Sequence, residues 1–111
     1  MGIKEKPNTN ALKELMDKGI NLYDIVALRM NFTGYYEIKP YTIIYQKGVD
    51  SLSELRTKLD EANYVNGYGC DAMFGIILMS DGSYWERDEY DGATYWVHRH
   101  TPTIEQVINY D

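Results

Sequence analysis

Cysteine is almost absent from this 111-residue chain, with Cys70 the single example. One thiol excludes an internal disulfide and suits a reducing compartment. No charged helix start or neighbouring histidine is visible to activate it, so a buried structural thiol is expected. Histidine is scarce too, limited to His98 and His100, and a zinc or iron site built on them lacks a third ligand at recognisable spacing. No apolar run reaches the ~18–20 residues of a membrane span. The opening MGIKEKPNTN shows no signal-peptide apolar region, and its sixth residue is not the Ser or Thr of a myristoylation signal. Neither GxxxxGK[ST] nor GxGxxG occurs, which removes the usual phosphate cradles. These absences point to a cytoplasmic protein with no cofactor and no membrane contact.

Tyrosine is abundant: eleven copies against two phenylalanines. Tyr buries area as Phe does but keeps a hydroxyl that needs water or a partner, so a Tyr-rich surface or a half-buried sheet is expected. The net charge is −6, distributed unevenly: residues 1–50 carry seven Lys/Arg and six Asp/Glu, residues 51–111 four and eleven. An acidic half disfavours direct nucleic-acid binding, which requires cations that displace phosphate counterions. It suits instead a protein partner with a basic groove. The length fits one domain, read as a flexible arm over 1–8 and a single α+β domain over 9–111. No internal repeat or low-complexity tract stands out.

Along the chain, the spacing of Leu12, Leu15 and Met16 predicts a helix from Asn10 to Lys18, with Asn8, Thr9 or Asn10 as cap and Gly19 as stop. Val26, Leu28, Met30 and Phe32 alternate with smaller or polar residues and predict a strand within 22–32. A helical start through Leu22, Ile25 and Val26 competes with it. Residues 35–47 are rich in Tyr, Ile and Thr, a strand composition, and Pro40 within them marks an edge strand or a bulge. A second helix over Ser51–Ala62 turns Leu52, Leu55 and Leu59 inward, with Asp50 or Ser51 as cap. AMFGIILM, 72–79, reads as a central strand. Two Asp-Gly turns divide 72–100 into a three-stranded meander, and a helical turn is expected within 103–110. The order α-β-β-α-β-β-β predicts a two-layer sandwich. Its five-stranded, mainly antiparallel sheet has the order 2-1-3-4-5, with both helices on one face.

Two-residue turns at Asp81-Gly82 and Asp91-Gly92 would fix the facing of the meander. One face then holds Met73, Ile77, Met79, Tyr84, Glu86, Asp88, Tyr90, Tyr95, Val97 and Arg99. The other holds Phe74, Ile76, Leu78, Trp85, Arg87, Glu89, Trp96 and His98, and is assigned to the core. A three-residue turn with a bulge at either Asp-Gly would reverse one strand. On the open face, Tyr84, Tyr90, Tyr95 and Arg99 are candidate anchors of a protein interface, and Glu86, Asp88 and Asp91 its electrostatic guides. Charges on an outer sheet face also serve solubility alone.

The stretch DGSYWERDEYDGATYWVHR, residues 81–99, resembles segments of small uncharacterised proteins of tailed bacteriophages. That resemblance implies a phage origin, a place in the host cytoplasm, and inhibition of a host enzyme or defence system. The expectation is a non-enzymatic protein-binding module acting through an acidic, Tyr-rich sheet face. The alternatives are a small metal-dependent enzyme using His98 and His100, or a structural subunit that forms a homo-oligomer.

Overall fold

Asn10 shows how local chemistry sets the first element. Its backbone is extended and its side chain accepts a hydrogen bond from Lys13 N, so helix α1 (Ala11–Asp17) begins at the next residue; this supplies one of the acceptors that a helix start lacks. The structure is a computed structural model that describes residues 7–33, 39–67, 72–101 and 104–108. The elements are β1 (Thr9–Asn10), α1, a 3₁₀ turn (Leu22–Asp24), β2 (Ile25–Phe32), β3 (Tyr41–Gln46), α2 (Leu52–Glu61), β4 (Asn63–Tyr64), β5 (Met73–Met79), β6 (Tyr84–Tyr90), β7 (Ala93–Arg99) and α3 (Ile104–Ile108). β1 and β4 form a small antiparallel ribbon that ties the start of α1 to the end of α2. Asn8, expected in a loose arm, is held there: its backbone N–H donates to Tyr64 O, and its side chain exchanges hydrogen bonds with the Asn66 backbone. Residues 1–6, 34–38 and Cys70 lie outside the described residues.

The main sheet has the order β3-β2-β5-β6-β7, with every neighbouring pair antiparallel. This is the expected α+β architecture and strand order. The apolar strands β2 and β5 sit side by side within the sheet, and Pro40 precedes the edge strand β3, where a missing N–H breaks no ladder. Gly75 allows β2 and β5 to close up, because a Cβ there would collide with the Arg29 carbonyl. Leu12 and Leu15 of α1 and Leu55 and Leu59 of α2 pack with Met30, Phe32, Ile43, Met73, Ile77 and Trp96 in one core. Each fully buried aliphatic side chain is worth about 1.5–3 kcal/mol.

Three expectations about facing need correction. Met16 is exposed, and Ala11 takes its place in the core. In β2 the register shifts between Ile25 and Ala27, so a bulge turns Ile25 rather than Val26 into the core. The third is β5, whose faces are reversed: Met73 and Ile77 are buried, while Phe74, Ile76 and Leu78 are exposed. The cause is the Asp81-Gly82 turn. Leu78 pairs with Tyr84, Met79 N–H donates to Ser83 O, Gly82 N–H donates to Met79 O, and Gly82 alone has positive φ, at 86°. That is a three-residue loop with a glycine bulge, one residue longer than the two-residue turn. The Asp81 carboxylate selects it by accepting from both the backbone N–H (2.9 Å) and the hydroxyl (2.5 Å) of Ser83, an Asx-turn geometry.

Inside the sandwich, Arg87 is the one buried cation among the described residues, its side chain 0% exposed. It grips Glu14 of α1 with two nitrogens (2.8 and 3.1 Å) and also donates to the Thr94 and Tyr64 hydroxyls, so α1 is fastened to β6. Both sheet edges end in a side-chain clasp. The Asn66 amide donates to Thr94 O (2.8 Å) and accepts from Thr94 N (2.9 Å) on β7. On β3, Asp50 accepts from Gln46 N through its carboxylate and returns its own N–H to Gln46 O.

Candidate functional site

The β6–β7 hairpin folds as its sequence predicts. Tyr90 faces Ala93, Asp88 faces Tyr95, Glu86 faces Val97 and Tyr84 faces Arg99. Asp91 and Gly92 both take positive φ, 52° and 81°, as a type I′ turn demands. Arg87, Thr94 and Trp96 therefore point into the core. Tyr84, Glu86, Asp88, Tyr90, Tyr95 and Arg99 share the opposite, open face, and Asp91 lies at the hairpin tip.

The reversed β5 changes what surrounds them. Ile44, Arg29, Ile76, Glu86 and Val97 stand abreast across all five strands, as do Gln46, Ala27, Leu78, Tyr84 and Arg99. Thr42, Asn31 and Phe74 start a third row. Ile44 is 56% exposed, Ile76 47%, Leu78 41% and Phe74 39%. The open face is thus apolar along its middle strand and at Ile44, with a shallow depression bounded by Ala27, Ile44, Ile76, Leu78 and Tyr84. Sequence reasoning assigned Phe74, Ile76 and Leu78 to the core and so missed them. The signal that could have found them is Ser83, placed two residues after Asp81 to complete the Asx-turn.

Charge on this face is arranged asymmetrically. Arg99 pairs with Glu86 and stands 3.6 Å from Asp88, so two carboxylates share one guanidinium and the β6–β7 side keeps one negative charge in excess. On the other side, Arg29 of β2 is exposed and makes no ion pair among the described residues. Of the candidate anchors, Tyr84 lies next to Leu78 of the apolar middle strand and Tyr95 one strand further out on β7, whereas Tyr90, 75% exposed, stands apart near the tip.

His98 and His100 sit at the opposite end of the hairpin. Trp85 and His98 stack at 4.3 Å, and the two imidazoles meet edge to face at 4.4 Å. His98 Nε2 lies 2.9 Å from Ser83 Oγ. The Ser83 hydroxyl gives its only proton to Asp81, so His98 Nε2 must be the donor to Ser83 Oγ. A nucleophilic serine needs the reverse, an imidazole that accepts its proton, and Ser83 is moreover 2% exposed. Asp81 is held below the usual carboxylate range, first by the Ser83 hydroxyl, then by the Ser83 N–H and the nearby His100 and His98. Among the described residues no three His, Cys, Asp or Glu side chains gather to hold a metal ion. The hydrogen bonds joining Asp81, Ser83 and His98 hold the three-residue turn that exposes Ile76 and Leu78. Among the described residues, no helix is long and apolar enough to cross a membrane. In comparison with known proteins, no family model, no curated protein and no solved structure matches this chain.

Proposed function

We propose that this chain is a non-enzymatic protein-binding module that docks through the open face of its sheet. One observation supports the reading above others: Ile44, Phe74, Ile76 and Leu78 are all exposed on that face. A solvated antiparallel sheet face normally alternates to polar residues, and a contiguous apolar patch rimmed by polar groups marks an interaction surface. The Tyr84, Tyr95 and Arg99 side chains beside it are of the types that dominate interface energetics. Glu86, Asp88 and Asp91 supply the charged rim, which a partner presenting cations at matching positions would meet. An inhibitor of a host enzyme or defence system is the form of this reading that the resemblance of residues 81–99 suggests.

The test is site-specific photo-cross-linking in cells expressing the full chain. A photoreactive residue replacing Ile76 should give covalent adducts with protein, while one replacing Lys58, exposed on α2, should not. Absence of adducts at position 76, or equal labelling at both positions, overturns the reading.

A further inference from the structure

We infer that the partner of the open face is a second copy of this chain, packed sheet on sheet about a two-fold axis running along β5. This rests on the docking reading above and supplies its partner. A two-fold interface brings the same patch together on both subunits, so the patch must be complementary to itself. Rotation by 180° about an axis parallel to β5, midway between the sheets, lays β5 on β5, β2 on β6 and β3 on β7 while preserving height along the strands.

The rows across the sheet meet that condition. Ile44, Arg29, Ile76, Glu86 and Val97, abreast by register, read apolar, cationic, apolar, anionic, apolar. After the rotation Ile44 meets Val97 of the other copy, Arg29 meets Glu86, and Ile76 meets itself. In the next row Ala27 lies opposite Tyr84, small against large, and Leu78 meets itself. The excess negative charge beside Arg99 is thus matched, twice over by symmetry, by Arg29, which makes no ion pair among the described residues. The face is large enough. Five strands at ~4.8 Å and about seven residues at ~3.4 Å give roughly 24 by 24 Å. Side-chain relief raises this toward the about 800 Å² that each partner contributes to a standard interface. Two sheets stacked face to face lie ~10 Å apart.

Because the axis passes along β5, position 76 reports on it directly. Ile76 is 47% exposed, so charged substitutions there leave the core intact, which circular dichroism verifies. Sedimentation of the purified full chain should show a dimer. I76E and I76K should each weaken it by more than about 100-fold, since like charges are forced together on the axis. An equimolar mixture of the two should recover a one-to-one dimer. A wild-type chain that stays monomeric at about 100 µM, well above the Kd range of specific complexes, overturns self-pairing. If adducts at position 76 with some other protein accompany that result, the docking reading survives without it. A dimer indifferent to both substitutions places the contact elsewhere. Loss of the dimer in both variants without recovery in the mixture refutes the axis.

Discussion

Removing Glu14 tests whether the buried ion pair holds the two layers together. In E14A, Arg87 keeps its Thr94 and Tyr64 hydroxyls but loses both carboxylate contacts, within a site where its own side chain has no exposure and that of Glu14 only 18%. Stranding one charge of a buried pair costs about 3–5 kcal/mol. The partial exposure of Glu14 lets some water reach the guanidinium, which places E14A near 3 kcal/mol at the lower end of that range. Replacing the pair with apolar side chains of similar size removes the desolvation cost of both ions, so E14L/R87M should lie within about 1 kcal/mol of wild type. The two variants together separate the pair from mere packing. Urea unfolding followed by tryptophan fluorescence suits the measurement, because the Arg87 guanidinium lies 5.2 Å from the Trp96 ring. At about 4 °C of Tm per kcal/mol for a domain near this size, E14A should also melt roughly 12 °C lower. An E14A cost under about 1 kcal/mol, or a double variant as unstable as E14A, would refute the reasoning.

Other positions yield separate outcomes. N66A strips both partners from the Thr94 backbone, a residue 2% exposed, and should cost about 1–3 kcal/mol, with faster amide exchange at Thr94 by NMR; unchanged exchange there counts against the clasp. G75A drives a Cβ into the Arg29 carbonyl and should lower the urea midpoint far more than A27G in the adjoining strand; equal effects contradict the close approach. The Asp81 carboxyl is held low by its hydrogen bonds to Ser83 and by the two histidines. Its stabilising contribution is therefore present above the ordinary carboxylate pKa and is lost as pH falls through the lowered value. D81N, whose amide oxygen still accepts from Ser83, should flatten that acid limb while leaving the fold intact at neutral pH; identical acid profiles for the two proteins refute the assignment.

The strand order was legible because it follows from few constraints: Pro40 needs an edge, and the most apolar strands need neighbours on both sides. The Asp91-Gly92 turn was legible because both its residues tolerate positive φ and the register follows from loop length. Asp81-Gly82 carries the same two letters, yet it closes a loop one residue longer. A dipeptide cannot distinguish the middle of a two-residue loop from the end of a three-residue one. Here the hydrogen bonds of Asp81 to Ser83 settle it, and with them the identity of every exposed side chain on β5. The sequence therefore puts the candidate residues of β6 and β7 on the open face but sends their apolar neighbours on β5 to the interior. The Glu14–Arg87 pair left no local trace, since the partners are 73 residues apart.

The Asn66 and Asp50 clasps limit how this protein can grow. Asn66 behaves as a one-residue substitute for a sixth strand, meeting both hydrogen-bonding needs of Thr94. Asp50 does the same for Gln46 at the far margin. An incoming chain seeking to extend the ladder at these points would have to displace a residue already bonded through two atoms. Lateral fibre-like stacking is thereby discouraged at both borders.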